Sequence, residues 1–326
     1  MSDFGRHVLR RRRRRNSEVN IQDNEGNSGS EWRNWAELPR DILLIIFKKA
    51  AAAAILSSAQ FVCRPWRHLS HEPELWRCID LRMYGNLDGM VMVSMAKMAV
   101  NRSEGCVEEL YLENFPTDDL MFYIPGRATL LRGLHLISVS LNEETVVETL
   151  KKLPLLEELE MSYCSFSHKV VERVGPVCPH LKRFRLDQRV YTLQHTIRSR
   201  LNTVALAIAK HFKQLRRLQL FANSLTSTGL SAILDNCPDL EYLDIRNCYN
   251  VGFLDESLKS KCAGIKELRL PRDSDSDYEY VVEGFEYEDS DFNAPRSHTE
   301  SDWGYSTEDD YTNIYGDWGG LGDDFM

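Results

Sequence analysis

The residues best suited to chemistry in this chain are eight cysteines and a pair of histidines, His68 and His71. Thiolates and imidazoles are the usual ligands of zinc, and closely paired thiols serve redox exchange. The cysteines form no C-x-x-C pair, and no further ligand clusters with the two histidines. The sequence therefore supports neither a zinc site nor a redox motif. Because no secretory signal opens the chain, we interpret the cysteines as reduced thiols.

Motifs of the common enzyme classes are absent from the sequence. It contains no glycine-rich dinucleotide fingerprint, no P-loop, no H-E-x-x-H zinc motif and no G-x-S-x-G nucleophile elbow. Most of the cysteines fall in apolar stretches or turns, where a thiol behaves as a small hydrophobic group. We therefore predict a non-catalytic protein without metal or cofactor, whose function depends on binding surfaces.

Charge is distributed unevenly along the chain. Residues 273–326 contain 17 Asp and Glu against one Arg, interleaved with tyrosines and tryptophans but few aliphatic side chains. The rest of the chain has more basic than acidic side chains. This composition predicts a disordered acidic tail. Two interpretations of the tail stay open: a free, solubilising segment, and a segment that folds onto a basic surface of the same chain.

An unbroken arginine run lies near the N-terminus. It consists of Arg10, Arg11, Arg12, Arg13, Arg14 and Arg15. Such a run can direct nuclear import, bind nucleic acid, or simply be solvated. We predict nuclear import, and hence a location in the nucleus, the cytoplasm or both, and we do not expect nucleic acid as a partner. Apolar stretches are too short to span a bilayer, so no membrane contact is expected.

The elements that position binding residues follow a repeat of about 25 residues. Seven stretches match the pattern L-x-x-L-x-L, and their fourth residues are Leu110, Leu134, Leu159, Phe184, Leu218, Leu243 and Leu268. The interval between successive members is regular, except for a longer one between Phe184 and Leu218. Alternating apolar residues predict one strand per repeat, with helices between, as in a leucine-rich-repeat solenoid. The longer interval predicts an inserted loop within residues 187–203.

The segment before the repeats opens with an unusual helix. Pro39 suits the first turn of a helix, and Asp41 is favourable near the positive end of its dipole. Six consecutive apolar residues, 42–47, then cover every side, whereas one amphipathic face would leave about half of the helix polar. The sequence by itself leaves open what covers the second side of this helix.

Around this helix the sequence resembles an F-box. The resemblance rests on Leu38-Pro39, the apolar helix, Val62-Cys63-Arg64 with Trp66-Arg67, and Glu72-Pro73 with Leu75-Trp76. Together with the repeats, residues 35–272 are similar to the plant F-box/leucine-rich-repeat proteins.

This resemblance implies a non-catalytic subunit of an SCF-type ubiquitin ligase. An F-box docks on a Skp-family adaptor, which links it to a cullin and a RING subunit, while the repeats bind a protein substrate. The adaptor-binding surface or its immediate support would comprise Leu38, Pro39, Ile42, Leu43, Ile46, Val62, Cys63, Trp66 and Trp76. For the two tryptophans, a role purely in the core of the module is an open alternative.

Two features depart from the family pattern. Alanines fill positions 50–54 where relatives have a Leu-Gly step, and alanine favours a helix over glycine by about 1 kcal/mol. We therefore expect the first helix to continue past residue 50. Pro65 is expected to kink or end a helix near residue 64. If these changes abolish docking, the alternative function is a leucine-rich-repeat scaffold that no longer recruits the ligase.

In a solenoid of this kind, the residues that flank the inward leucines face the concave surface. These residues are acidic in the early repeats and mostly basic in the later ones. Any solvated strand shows an alternating polar face, but exposed aromatic and arginine residues are the usual anchors of interfaces. We hypothesise that the substrate contacts the arc at Arg185, Arg217, Phe221, Tyr242 and Arg246.

The sequence thus predicts an α/β protein, with a small N-terminal helical F-box followed by a curved leucine-rich-repeat solenoid. A disordered basic N-terminal arm and an acidic C-terminal tail flank these two parts. The expected boundaries are 1–30 for the arm, 31–80 for the F-box, 81–272 for the solenoid and 273–326 for the tail.

Overall fold

The computed structural model describes residues 35–82, 87–188 and 201–282, and the backbone of residues 9–11. All of these belong to one compact unit that ends at Glu283. Most of the predicted inserted loop and of the acidic tail lie outside the described residues, as do Arg12, Arg13, Arg14 and Arg15. Nuclear import through the arginine run therefore stays a prediction.

Short helices form the N-terminal module. They are a 3-10 turn at Trp35–Glu37, α1 (Arg40–Lys49), α2 (Ala52–Ser57), a 3-10 turn at Ala59–Phe61, α3 (Arg64–Leu69) and a 3-10 turn at Pro73–Trp76. Within α1, Leu43 and Phe47 lie one turn apart on the same face and are buried in the core. The predicted apolar helix is thus anchored by two side chains.

The alanine run does not extend α1, so that expectation was wrong. The helix ends at Lys49, and the extended backbone of Ala50 and Ala51 (ψ 142° and 145°) leads directly into α2. The chain turns by 119° between the two helices. This turn buries Ala52 and Ala53, and such tertiary packing overrides helix propensity.

Pro65 neither kinks nor ends a helix, which corrects the second expectation. Helix α3 begins at Arg64, so the proline occupies its first turn. At that position a helical residue has no intrahelical N–H bond to lose, and the fixed φ of proline suits the helix. The two departures from the family pattern therefore leave the helical module intact.

Within the described residues, eight parallel strands in chain order form one sheet, which confirms the predicted solenoid. They are β2 (Cys78–Leu81), β3 (Glu109–Glu113), β4 (Gly133–Ile137), β5 (Glu158–Ser162), β6 (Arg183–Arg185), β7 (Arg217–Gln219), β8 (Tyr242–Asp244) and β9 (Glu267–Arg269). The seven predicted core positions, from Leu110 to Leu268, align in one register across β3–β9.

A helix follows each strand from β2 to β8 and packs behind the sheet. These helices are α4 (Gly89–Arg102), α5 (Asp118–Tyr123), α6 (Glu143–Leu150), α7 (Val170–Val174), α8 (Thr203–His211), α9 (Ser227–Asn236) and α10 (Glu256–Cys262). Asn142 caps α6 by accepting a 2.9 Å hydrogen bond from the amide of Glu144. The sheet and these helices enclose one continuous apolar core that also includes the N-terminal module.

Strand β2 was missed by the repeat pattern. In the stretch WRCIDL, Ile79 pairs with Leu110 and Leu81 pairs with Leu112, so a tryptophan stands where the other repeats begin with an aliphatic residue. That residue, Trp76, is 1% exposed, and its Nε1 donates to the carbonyl of Ser70 at 3.0 Å. The predicted boundary between residues 80 and 81 therefore falls inside a strand that joins the two parts.

Residues 273–282, here called the strap, run back across the sheet after β9. The strap ends in β10 (Tyr280–Val282), which pairs antiparallel with β1 (Leu9–Arg11) and places Arg11 opposite Tyr280. Tyr278 and Tyr280 are buried. The start of the predicted disordered tail is therefore ordered on the solenoid, and three residues of the predicted disordered arm form its partner strand.

Candidate functional site

The face of α1 that points away from the core is apolar and is not covered by the described residues. Ile42, Ile45 and Ile46 lie on one side of the helix, at i, i+3 and i+4, and are 43%, 52% and 38% exposed. These three residues are called the α1 face. Phe61 and Val62, after α2, are also exposed apolar residues of this module. Half of the six-residue apolar run is thus available to a partner.

The nine residues predicted for adaptor binding divide into three groups. Pro39, Ile42, Ile46 and Val62 are exposed, Leu38, Cys63 and Trp66 are partly buried, and Leu43 and Trp76 are buried. Ile45 and Phe61 were not singled out, although the unbroken apolar run contained the signal for Ile45. The exposed and partly buried members have surface that a partner could contact, whereas Leu43 and Trp76 lie in the core and support the module.

Trp66 lies between the surface and the core of the module. Its ring meets Phe47 edge-on, with centroids 5.4 Å apart, and meets Trp35 in the same manner at 6.5 Å. Its Nε1 donates a 3.1 Å hydrogen bond to the carbonyl of Trp35. Trp66 therefore fixes the segment before α1 against the helix that carries the α1 face.

The concave side of the solenoid is built from two rows of side chains, set by the parallel register. One row is Cys78, Glu109, Gly133, Glu158, Arg183, Arg217, Tyr242 and Glu267. The other is Asp80, Tyr111, His135, Glu160, Arg185, Gln219, Asp244 and Arg269. The side chains of one row stand on neighbouring strands and can interact directly.

At the N-terminal end of the arc, aromatic and charged groups form a continuous stack. The Arg82 guanidinium lies 4.1 Å from the centroid of the Tyr111 ring, and that ring stacks on His135 with centroids 3.9 Å apart. Nδ1 of His135 lies 3.0 Å from a carboxylate oxygen of Glu160, within hydrogen-bond distance. Among the described residues, Nε2 of His135 has no hydrogen-bond partner, although it is buried at the edge of a cavity.

Glu160 is buried and charged at the centre of the arc. Burial alone would raise its pKa, but the Arg185 guanidinium, at 3.4 Å, and the hydrogen bond with His135 outweigh it and lower the pKa to about 2. Arg185 also pairs with Asp187 at 2.5 Å. The centre of the groove is therefore a network of compensated charges.

The strap covers the later half of the groove through Tyr278. Its ring stacks on Phe221, with centroids 3.9 Å apart and an angle of 18° between the planes. Its hydroxyl donates a 2.6 Å hydrogen bond to Asp187 and lies 2.8 Å from the hydroxyl of Tyr163. Tyr278, Phe221 and Tyr163, together with Tyr280, belong to a small apolar cluster separate from the main core.

Acidic residues on either side of Tyr278 engage arginines of the groove. Asp277 accepts hydrogen bonds from Arg246 and, at 3.1 Å, from Arg269. Glu279 pairs with Arg185 at 3.2 Å and with Arg82 at 3.5 Å. The backbone carbonyl of Ser274 accepts a further hydrogen bond of 2.9 Å from Arg246. The strap is thus matched to the groove in charge as well as in shape.

The five residues predicted to bind substrate do not share one environment. Arg217 and Tyr242 stack at 4.1 Å and line an open cavity of about 260 Å³, to which Arg185 also contributes. Phe221 and Arg246 are only 5% and 4% exposed, because the strap lies over them. The signal for this contact was the acidic and aromatic sequence that follows the last repeat, and the folded-back tail was one of the two open interpretations.

The described residues also bear on two other kinds of site, a metal centre and a membrane-spanning helix. They contain no group of three or more His, Cys, Asp or Glu side chains that could hold a metal ion. Within the same residues, no single helix has the length and apolar character needed to cross a membrane. Only the bent pair of α1 with Ala52–Phe61 meets those criteria, when its halves are taken together.

Comparisons with known proteins agree with this architecture. Residues 35–82 match the family model described as F-box-like. F-box/LRR-repeat protein 22 of Arabidopsis thaliana is 38% identical over 252 residues, which cover 76% of this chain and 80% of the relative. The chain belongs to the F-box/LRR-repeat proteins.

Two further F-box relatives from Arabidopsis thaliana have similar identity. F-box protein SKIP19 is 41% identical over 247 residues, covering 75% of this chain and 79% of the relative. F-box/LRR-repeat protein 23 is 40% identical over 247 residues, but the chain spans only 54% of its length. In this F-box/LRR-repeat protein, the helical module and the solenoid are therefore the F-box and the repeat domain.

Proposed function

We propose that this F-box/LRR-repeat protein is the substrate-recognition subunit of an SCF-type ubiquitin ligase. The F-box docks on a Skp-family adaptor, through which a cullin and a RING subunit join the complex. The concave groove binds a protein substrate. The chain itself performs no transfer chemistry; it holds the substrate close to the enzyme that does, and proximity of this kind accelerates the reaction.

The observation that carries this proposal is the uncovered α1 face. Three isoleucines on one side of a helix form an exposed apolar patch, and such patches mark interaction sites. Full burial of an Ile side chain stabilises by about 1.5–3 kcal/mol, and about half of each side chain remains to be buried by a partner. They belong to a module that matches the F-box-like family, and helix-bearing modules of this kind dock through such faces. Because the alanine run and Pro65 leave the module folded, this proposal is favoured over the scaffold that recruits no ligase.

The test is a pull-down of a purified plant Skp-type adaptor by the full chain and by Ile42→Asp. Asp at this position places a charge in the apolar interface and is expected to weaken adaptor binding by at least about tenfold. Leu206→Asp is the matched control, because Leu206 is a 52% exposed apolar residue of α8 in the solenoid. This control is expected to bind like the parent.

Two results would count against the proposal. If the folded parent retains no adaptor, the protein is a repeat scaffold without a ligase. If Ile42→Asp and Leu206→Asp retain the adaptor equally well, the α1 face is not the docking surface.

A further inference from the structure

The strap is a short peptide of defined chemistry lying in a groove of complementary chemistry. Its central residues read Asp-Tyr-Glu-Tyr, from Asp277 to Tyr280. The groove offers an aromatic ring beneath the first tyrosine and arginines beside both carboxylates. The side of the strap that faces away from the groove is accessible to solvent, since Asp277 is exposed and Glu279 is partly exposed. The contacts are those of a bound peptide ligand rather than of a strand buried on both faces.

Each feature of this short peptide has its own partner in the groove. The tyrosine ring fills the space above Phe221, and its hydroxyl reaches the buried carboxylate of Asp187. The Asp277 carboxylate, just before this tyrosine, accepts a hydrogen bond from the guanidinium of Arg246. Asp244 also pairs with that guanidinium, at 2.7 Å. Rigid, pre-paired arginines lose little side-chain entropy when they bind an acidic ligand.

We propose that the concave groove recognises acidic peptide segments in which a tyrosine stands between two carboxylates, and that the strap occupies this site as an intramolecular ligand. A protein substrate of this chemistry then binds by displacing the strap. This inference rests on the proposed role of the groove in substrate recognition, but it does not depend on adaptor binding.

The short connection between β9 and the strap explains why the strap, a segment of the same chain, occupies the groove. Only seven residues separate Arg269, at the end of β9, from Asp277, so the strap is held near the groove at an effective concentration on the order of millimolar. A separate peptide with the same contacts must compete with it. Substrates therefore bind well only if they make more contacts than the strap, for example with Arg217 and Tyr242, which the strap leaves open.

The test measures binding of a fluorescein-labelled peptide with the sequence of residues 272–283 to the full chain, by fluorescence anisotropy. The strap is weakened by Asp277→Lys with Glu279→Lys, which places cations beside Arg246 and Arg185. The charge-matched control is Asp239→Lys with Glu172→Lys, since both residues are exposed and lie outside the groove. A second strap variant, Tyr278→Ala, removes the stacked ring and preserves the arginine contacts.

We expect both strap variants to bind the peptide at least about tenfold more tightly than the parent and the charge-matched control. A peptide with Ala at the position of Tyr278 should not bind to either variant. The peptide should also raise the melting temperature of Tyr278→Ala, because it binds only the folded protein.

The proposal is overturned if neither strap variant gains affinity for the peptide while circular dichroism shows that both are folded. It is also overturned if the Ala-substituted peptide binds as well as the original. The proposed function is tested separately: Ile42→Asp should lose the adaptor and bind the peptide as the parent does. A failure of adaptor docking and a failure of peptide recognition are therefore distinguishable.

Discussion

The hydroxyl of Tyr278 donates a 2.6 Å hydrogen bond to Asp187, across 91 residues of sequence. Asp187 is 1% exposed, so this bond helps to compensate a buried carboxylate. Hydrogen bonds to charged groups contribute more than neutral ones, and an under-compensated buried charge is costly. The strap therefore contributes to stability and does not simply cover the groove.

We expect Tyr278→Phe to lower the free energy of unfolding by about 2 kcal/mol, because the ring stays stacked and only the hydroxyl is lost. Urea denaturation of the full chain measures this change. Tyr249→Phe is the control, since Tyr249 is exposed and bonds to Asn247 at the surface, and it should change stability by less than about 0.5 kcal/mol. Equal changes in the free energy of unfolding would show that the buried hydroxyl of Tyr278 stabilises the fold no more than the exposed hydroxyl of Tyr249.

Glu160 predicts a specific dependence of stability on pH. Its pKa is lowered in the folded chain from 4.5 to about 2, so the unfolded chain takes up the proton first as the pH falls. The stabilisation is complete above about pH 4.5 and is lost progressively as the pH falls toward 2. Over that range it amounts to about 3 kcal/mol.

The measurement compares the parent with Glu160→Gln by urea unfolding at several values between about pH 5 and pH 3. The parent should be more stable at the upper end, and the difference should shrink as the pH falls. Taking the difference removes the contributions of titrating groups that do not interact with Glu160. A difference that does not change with pH would mean that Glu160 is not held charged by Arg185 and His135.

Substitutions of Trp76 and of Ile46 should distinguish a residue that stabilises the F-box from a residue that contacts its partner. Trp76→Ala removes a buried ring and should cost about 3–5 kcal/mol of stability, lowering adaptor binding only because the module unfolds. Ile46→Ala should leave the melting temperature nearly unchanged and still weaken adaptor binding. Thermal melts beside adaptor titrations check both. Unaltered adaptor affinity in a folded Ile46→Ala chain would remove this residue from the interface.

The pairing of β1 with β10 predicts that the N-terminus protects the strap. Deletion of residues 1–15 removes the partner strand, so the amides of Tyr280–Val282 should exchange with deuterium at least about tenfold faster. Amides of β4, in the middle of the sheet, serve as the internal control. Unchanged exchange in β10 would show that β1 contributes no protection.

Much of the fold could be predicted from local patterns, because each repeat carries its own signal. The regular period of the leucine pattern located seven strands and aligned their core positions. Strand β2 was not predicted, because Trp76 replaces the first leucine of the pattern and the interval to the next repeat is longer than the period. The turn at Ala50 escaped because local propensity favours a helix there, and only burial of the following alanines decides otherwise.

The candidate site was harder to predict than the fold. The α1 face follows from six consecutive apolar residues, because such a run covers all sides of a helix and the small module packs mainly against one of them. The residues proposed to line the groove could be chosen from their type and their position in the repeat. Whether they are accessible to solvent depends on contacts with residues far away in the sequence, such as the contact of Arg185 with Tyr278. Complementary charge suggested that contact, whereas composition alone favoured a free tail.

The strap also connects the two ends of the solenoid. Glu279 reaches Arg82, directly after the first strand of the sheet, while Asp277, two positions earlier, reaches Arg269 in the last strand. These two ion pairs connect the first strand of the sheet to the last one through the strap. Because the F-box is attached at the first strand, the strap also connects the last repeats to the end of the sheet that carries the F-box. If the groove binds a substrate as proposed, displacement of the strap by that substrate would break the connection between the last repeats and the strand that carries the F-box.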